Sequence, residues 1–203
     1  MRKLIALSFA VLAAASFATW AAGSNSRAGG AAVSREYGAG SSSQAASTFA
    51  AARLATAKYV TNLAKAKADG YQIITPMIPD MGIHYMNAKI TAFNPTKPAI
   101  LVYEKRGGTY QLGALEWVFP SKPAKPPLPG AKYGSFPAAC HFVDGTFVPE
   151  ASQDQCPKTN PQSGAAFSFW HPNLVTLHAW LWYPNPSGVY ASTNPLVHPF
   201  NNG

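Results

Sequence analysis

Thr109 to Phe119 reads TYQLGALEWVF, and the fold class turns on this stretch. Strand side chains alternate between two faces. Leu112, Ala114, Glu116 and Val118 then share one face, and Leu115, Trp117 and Phe119 share the other. Both faces are apolar, so the strand belongs inside a sheet that is covered on both sides. Glu116 is buried whichever way the strand packs.

Similar stretches precede it. YQIIT, IHYMNAKITAF and AILVYEK are rich in β-branched and aromatic residues, and Asn94-Pro95 and Lys97-Pro98 punctuate them. They read as strands joined by turns. Arg106-Gly107-Gly108 marks a hairpin into the Thr109 strand. Further on, FSFWHPNLVTLHAWLW carries the highest aromatic density, and Asn185-Pro186-Ser187-Gly188 is a strong turn signal. PSKPAKPPLPG, Pro120 to Gly130, suits neither helix nor central strand and is expected as an extended polyproline connector.

Before the strands lies one helical pattern, Gln44 to Gly70. Alanine, leucine and lysine are strong helix formers. Phe49, Leu54, Ala57, Val60, Leu63 and Ala64 recur at a period near 3.6, Lys65 and Lys67 suit the C-terminal dipole, and Gly70 is placed as the stop. The expected fold class is α+β: one N-terminal amphipathic helix on a mainly antiparallel sheet or small barrel, with long Pro-rich loops. Residues 44–203 form its single domain.

The N-terminus has a different character. Arg2 and Lys3 precede the small, apolar run Leu4 to Ala18, the layout of a secretory signal peptide over residues 1–21. The run is short of the roughly 20 residues a membrane span needs. Residues 22–43, dominated by Gly, Ser and Ala, read as a flexible leader. Export to the periplasm or outside the cell follows, with no transmembrane anchor after cleavage. Loss of Arg2 and Lys3 lowers the formal charge of +8 by two. The remaining lysines are scattered, without the basic run that tracks phosphates, so nucleic acid is not an expected partner. In an oxidising compartment the two cysteines, Cys140 and Cys156, favour a disulfide over a metal or nucleophilic role for Cys140.

The chain has no GxSxG, HExxH, CxxC or phosphate loop, so no nucleotide cofactor is indicated. The chemistry-bearing residues that fall inside apolar strands are His84, Glu116 and His178. Read as a strand, LVTLHAWLW puts His178 on one face with Thr176, Trp180 and Trp182, and His171 on the other. An ionised group in an apolar interior is costly unless paired or bound to metal. Two imidazoles and a carboxylate are a common set for a divalent ion, zinc, copper or iron, with positions left open. Met86 beside His84 would favour copper. The competing account of the same three residues is a buried hydrogen-bond network without metal.

The chain also resembles a family of exported bacterial proteins to which no activity is attached. The likeness runs over about residues 45 to 197 and rests on AKADGY, DMGIHYMN, PAILVYEK, LGALEWVF and LHAWLWYPNPSGVYASTNP. His84, Asn87, Glu116 and His178 all fall inside those blocks. Ala99 and Asp80 depart from the family's pattern, and the cysteine pair belongs to a subgroup. The resemblance implies export and one compact domain. It adds Asn87 to Met86 and His171 as further candidates for the site.

Other functional classes stay open at this level. Trp170, Trp180 and Trp182 are candidates for an aromatic platform that binds sugar or another envelope component without metal. The small-residue helix is a candidate contact in a homo-oligomer with a structural envelope role. Whether the protein is an enzyme is not decided by these residues.

Overall fold

The computed structural model describes residues 29–201. The segment read as a signal peptide lies outside them. The fold is α+β. Helix α1 spans Gly29–Thr56 and α2 spans Leu63–Ala68, and a 3-10 turn, Ala57–Tyr59, lies between them. Nine strands follow: β1 Gln72–Ile73, β2 Ile83–Met86, β3 Ile100–Arg106, β4 Thr109–Phe119, β5 Gly134–Phe136, β6 Ala139–Phe142, β7 Phe147–Pro149, β8 Phe167–His171 and β9 Leu174–Ala179. A short helix α3, His198–Asn201, ends the described chain.

Two points of the helical reading are corrected. The helix starts at Gly29, so residues 29–43 are helical rather than flexible leader. Adding residues to an existing helix is far cheaper than starting one, and the alanines here favour it. The stretch from Gln44 to Gly70 is also broken rather than continuous. The sheet takes the carbonyls that would carry the helix on: Tyr103 Oη donates to Tyr59 O at 2.9 Å, and Leu112 N donates to Val60 O at 2.8 Å. Asn62 then caps a new helix, its side chain accepting from Lys65 N at 2.9 Å. This shifts the buried stripe. Phe49, Ala52, Thr56 and Tyr59 face the sheet, while Leu54 is 82 % exposed.

All strand pairings are antiparallel. The main sheet runs β1-β2-β3-β4-β9-β5, and the smaller one runs β7-β6-β8. The Gly107–Gly108 turn joins β3 to β4, both glycines having positive φ. Alternation gives the main sheet two distinct faces. Tyr85, Leu101, Tyr103, Leu115, Trp117 and Leu177 pack under the helices. On the other face Ile74, Met86, Ile100, Val102, Ala114 and Val118 pack with Trp180 and Val197. The C-terminal segment and Phe169 of the small sheet cover that second face.

Cys140 and Cys156 form a disulfide, with Cα atoms 5.6 Å apart. It ties β6 to the loop after β7. The Pro120–Gly130 stretch contains no helix or strand, and fully buried Leu128 anchors it.

Candidate metal centre

His84, Glu116 and His178 each sit between two residues that point at the helices. Ile83 and Tyr85 flank His84, Leu115 and Trp117 flank Glu116, and Leu177 and Ala179 flank His178; all six belong to the helix-side core. Strand alternation therefore sends all three candidate side chains to the opposite face. Register then brings them together. Glu116 lies directly across from His178 on β9 and from Ile100 on β3. His84 on β2 lies across from Val102, so it reaches Glu116 over β3.

The result is a tight cluster. One donor atom from each of the three residues lies within 4.8 Å of the other two, and all three residues are buried. His178 Nδ1 is 2.7 Å from Glu116 Oε1, and His84 Nε2 is 3.8 Å from the same oxygen. A divalent ion at its usual bond lengths of about 2.0–2.2 Å asks for donors roughly 3–3.5 Å apart. Small side-chain adjustments bring this set into that range. A buried His-Glu-His triad of this kind can hold a metal.

The surroundings orient the donors. Thr75 Oγ1 lies 3.1 Å from His84 Nδ1 and also accepts the His84 backbone N–H at 3.0 Å. The Ile74 N–H donates to His84 O at 2.9 Å, fixing the strand on its other side. The Nδ1 contact with Thr75 leaves Nε2 as the His84 nitrogen turned towards Glu116. Such supporting bonds to ligand imidazoles set tautomer and ring angle. His178 Nε2 is buried and has no hydrogen-bond partner. Burial alone would push the Glu116 carboxyl up, but the His178 hydrogen bond and the adjacent His84 ring outweigh it. Together they hold the carboxyl well below the usual carboxylate range. Glu116 is thus an anion on an apolar face.

The cluster forms the floor of a cavity of about 600 Å³. Met81, Ile78, Phe136 and Phe147 give it apolar walls, and Lys132, Ser135 and Ser192 lie where it opens to solvent. A turn from Pro79 to Gly82 sets one wall. Asp80 there has φ 58, its carbonyl accepts from Asn194 N at 2.8 Å, and its carboxylate lies 2.6 Å from exposed His198 Nδ1. Gly82 has φ 117, and a Cβ there would sit 2.6 Å from Tyr103 O, so the chain closes against β3 only with glycine.

The further candidates lie elsewhere. Met86 packs in the apolar core one register step from His84. Asn87 fastens the end of α2, its Nδ2 donating to Asp69 O at 3.0 Å and its Oδ1 accepting from Lys89 N. His171 pairs with Ala139 in the small sheet and stacks on His141, ring centroids 5.0 Å apart. The three tryptophans do not share a surface. Trp170 donates to Glu150 O, buried Trp180 donates to Ala191 O, and Trp182 donates to Thr56 Oγ1 on the helix side. Strand β9 ends at Ala179, so the alternation that would align Trp182 with His178 stops there. The cavity residues Lys132, Ser135, Phe136 and Phe147 carried no signal in the sequence; they reach the site through loops and the edge strands β5 and β7.

Comparison with protein-family models, curated proteins and solved structures gives no match. Among the described residues no helix is long and apolar enough to cross a membrane.

Proposed function

We propose that this is an exported protein that binds one divalent metal ion through His84, Glu116 and His178. The observation that carries the proposal is the convergence of two imidazoles and a carboxylate, from three separate strands, at the floor of a solvent-connected cavity. Each residue suits such an ion: imidazole is a ligand for zinc, copper and iron, and a carboxylate completes the two-His-one-carboxylate set that zinc and non-haem iron use. Three protein donors leave coordination positions free on the cavity side for water or a ligand. Export rests on the signal-like N-terminus and on the Cys140–Cys156 disulfide, which suits an oxidising compartment.

A closed hydrogen-bond network is the other use for such a triad, and the unpaired His178 Nε2 counts against it. Buried polar atoms of a purely structural network are normally satisfied.

The deciding experiment is elemental analysis of the purified protein after dialysis against Zn²⁺, Cu²⁺ or anaerobic Fe²⁺. The expected result is about one ion per chain for at least one metal, lost in His84→Ala and His178→Ala. Absence of stoichiometric metal under all three conditions would refute the assignment.

A further inference from the structure

The cavity above the triad is lopsided in charge. Among the described residues that line it, Glu116 is the only acid and Lys132 the only lysine or arginine. On the metal-binding reading, which this inference rests on, a divalent ion outweighs the single Glu116 charge. Lys132 adds a further positive charge and makes no ion pair of its own among the described residues. The loaded cavity is therefore cationic, and among the described residues that line it no second carboxylate is present to neutralise it. An anion supplied from outside fills that deficit.

The walls specify the rest of the occupant. Phe136 is half-buried, and Phe147 is 41 % exposed at the edge of the cavity, with Ile78 and Met81 alongside. Phe147 and Phe136 also meet edge to face, with centroids 5.9 Å apart. A partly exposed aromatic pair beside a polar floor suits a molecule with an apolar body and a charged end. The volume of about 600 Å³ is in the range of small-molecule sites and well beyond a few waters.

We propose that the metal-loaded cavity binds a small organic acid, its carboxylate at the free coordination positions and its apolar body against Phe136 and Phe147. Inorganic anions lack the body, and neutral apolar molecules lack the charge, so both bind more weakly.

The test uses the full chain loaded with Co²⁺, whose metal content is measured on the same sample. Three probes are titrated calorimetrically and by the cobalt absorption spectrum: 3-phenylpropionate, its neutral amide, and acetate. The acid is expected to bind at least about tenfold more tightly than the amide, as charge-assisted contacts exceed neutral ones. It should also perturb the cobalt bands and exceed acetate. Exposed Lys132→Met should weaken the acid by about threefold, as a solvent-screened charge does, and leave the amide unchanged. Phe136→Ala should weaken 3-phenylpropionate and spare acetate. Equal binding of acid and amide, or binding of the acid with no cobalt response, would overturn the ligand assignment while the metal assignment stood. A sample that takes up no cobalt, zinc, copper or iron overturns both, and the metal analysis shows which has happened.

Discussion

His178 Nδ1 lies 2.7 Å from Glu116 Oε1, and the two residues are direct partners across β4 and β9. Non-local strand pairing thus places the carboxylate and its imidazole in contact before any ion arrives. Metal that binds only the folded state stabilises it by mass action, about 2.7 kcal/mol at a hundredfold excess over Kd. Wild-type protein should therefore melt several degrees higher with saturating Zn²⁺. Glu116→Gln keeps the shape but not the charge, and its melting temperature should be unmoved by zinc at the same concentration. A zinc shift of wild-type size in Glu116→Gln would show that the carboxylate is not a ligand.

Thr75 tests whether orientation matters as much as ligand identity. Its hydroxyl touches both the ring and the backbone N–H of His84. Thr75→Val preserves volume and removes both bonds. Loss of such a supporting contact typically lowers metal affinity about 10–100-fold. It should also cost about 1–3 kcal/mol of stability, since the buried His84 N–H is left without its acceptor. Competition with a zinc chelator measures the first effect and urea unfolding the second. Unchanged zinc affinity would reduce Thr75 to a strand contact.

How much of this was legible in the sequence differs from residue to residue. Glu116 was readable because alternation in TYQLGALEWVF leaves a carboxylate no route to water. His84 and His178 were readable for the same reason. Their convergence with Glu116 was not, because it depends on the register of β2 against β3 and of β4 against β9. A slip of one residue on any strand would send a ligand to the helix face. The helix break at Val60 was hidden too, since it comes from hydrogen bonds donated by Tyr103 and Leu112. Lys132 and Phe147 stand in segments whose position only the tertiary structure sets.

Glu104 is the second buried carboxylate of the main sheet, and it lacks what Glu116 has. It is fully buried, and neither oxygen has a hydrogen-bond partner. Burial pushes its carboxyl up to about 7, with Arg106 offsetting only part of the shift. Because the folded value is raised, the folded state holds a proton that the unfolded state has released between about pH 4.5 and 7. Stability is lost as pH rises through that window, on the order of 3 kcal/mol in all. Glu104→Gln should therefore stabilise the protein at pH 8, with the gain vanishing below about pH 5. A gain independent of pH would mean that the carboxyl titrates alike in the folded and unfolded states.

The disulfide closes a loop with a sequence separation of 16. Chain-entropy reasoning gives about 3 kcal/mol for a loop of that size. Cys140→Ser with Cys156→Ser should lower stability by that order, measured in urea without reductant. Zinc binding should persist, because neither cysteine lines the cavity. Loss of metal in the double variant at temperatures where it is folded would tie the small sheet to the site.

His141 and His171 should make the small sheet sensitive to acid. Their rings stack with an interplanar angle of 24°, among Phe136, Phe147 and Phe169. Burial pushes the His141 imidazole down to about 3, with His171 beside it adding to the effect and the Ile74 backbone opposing it. Burial lowers His171 as well, against the pull of the Pro172 carbonyl. With depressed folded values, both rings are neutral above pH 6.5 and take nothing from stability there. As pH falls from 6.5 towards 3 the unfolded state gains protons that the folded state refuses. For His141 stability then falls by about 1.4 kcal/mol per pH unit, and His171 adds to the loss in the same direction. Glu104 acts in the opposite sense over part of this range, so the effect is clearest in Glu104→Gln. In that background, His141→Phe should flatten the acid limb of the melting profile between pH 6 and 4, and the neutral-pH stability should change little. An unaltered slope would mean that the acid response arises elsewhere, and that the stacked imidazoles are inert packing.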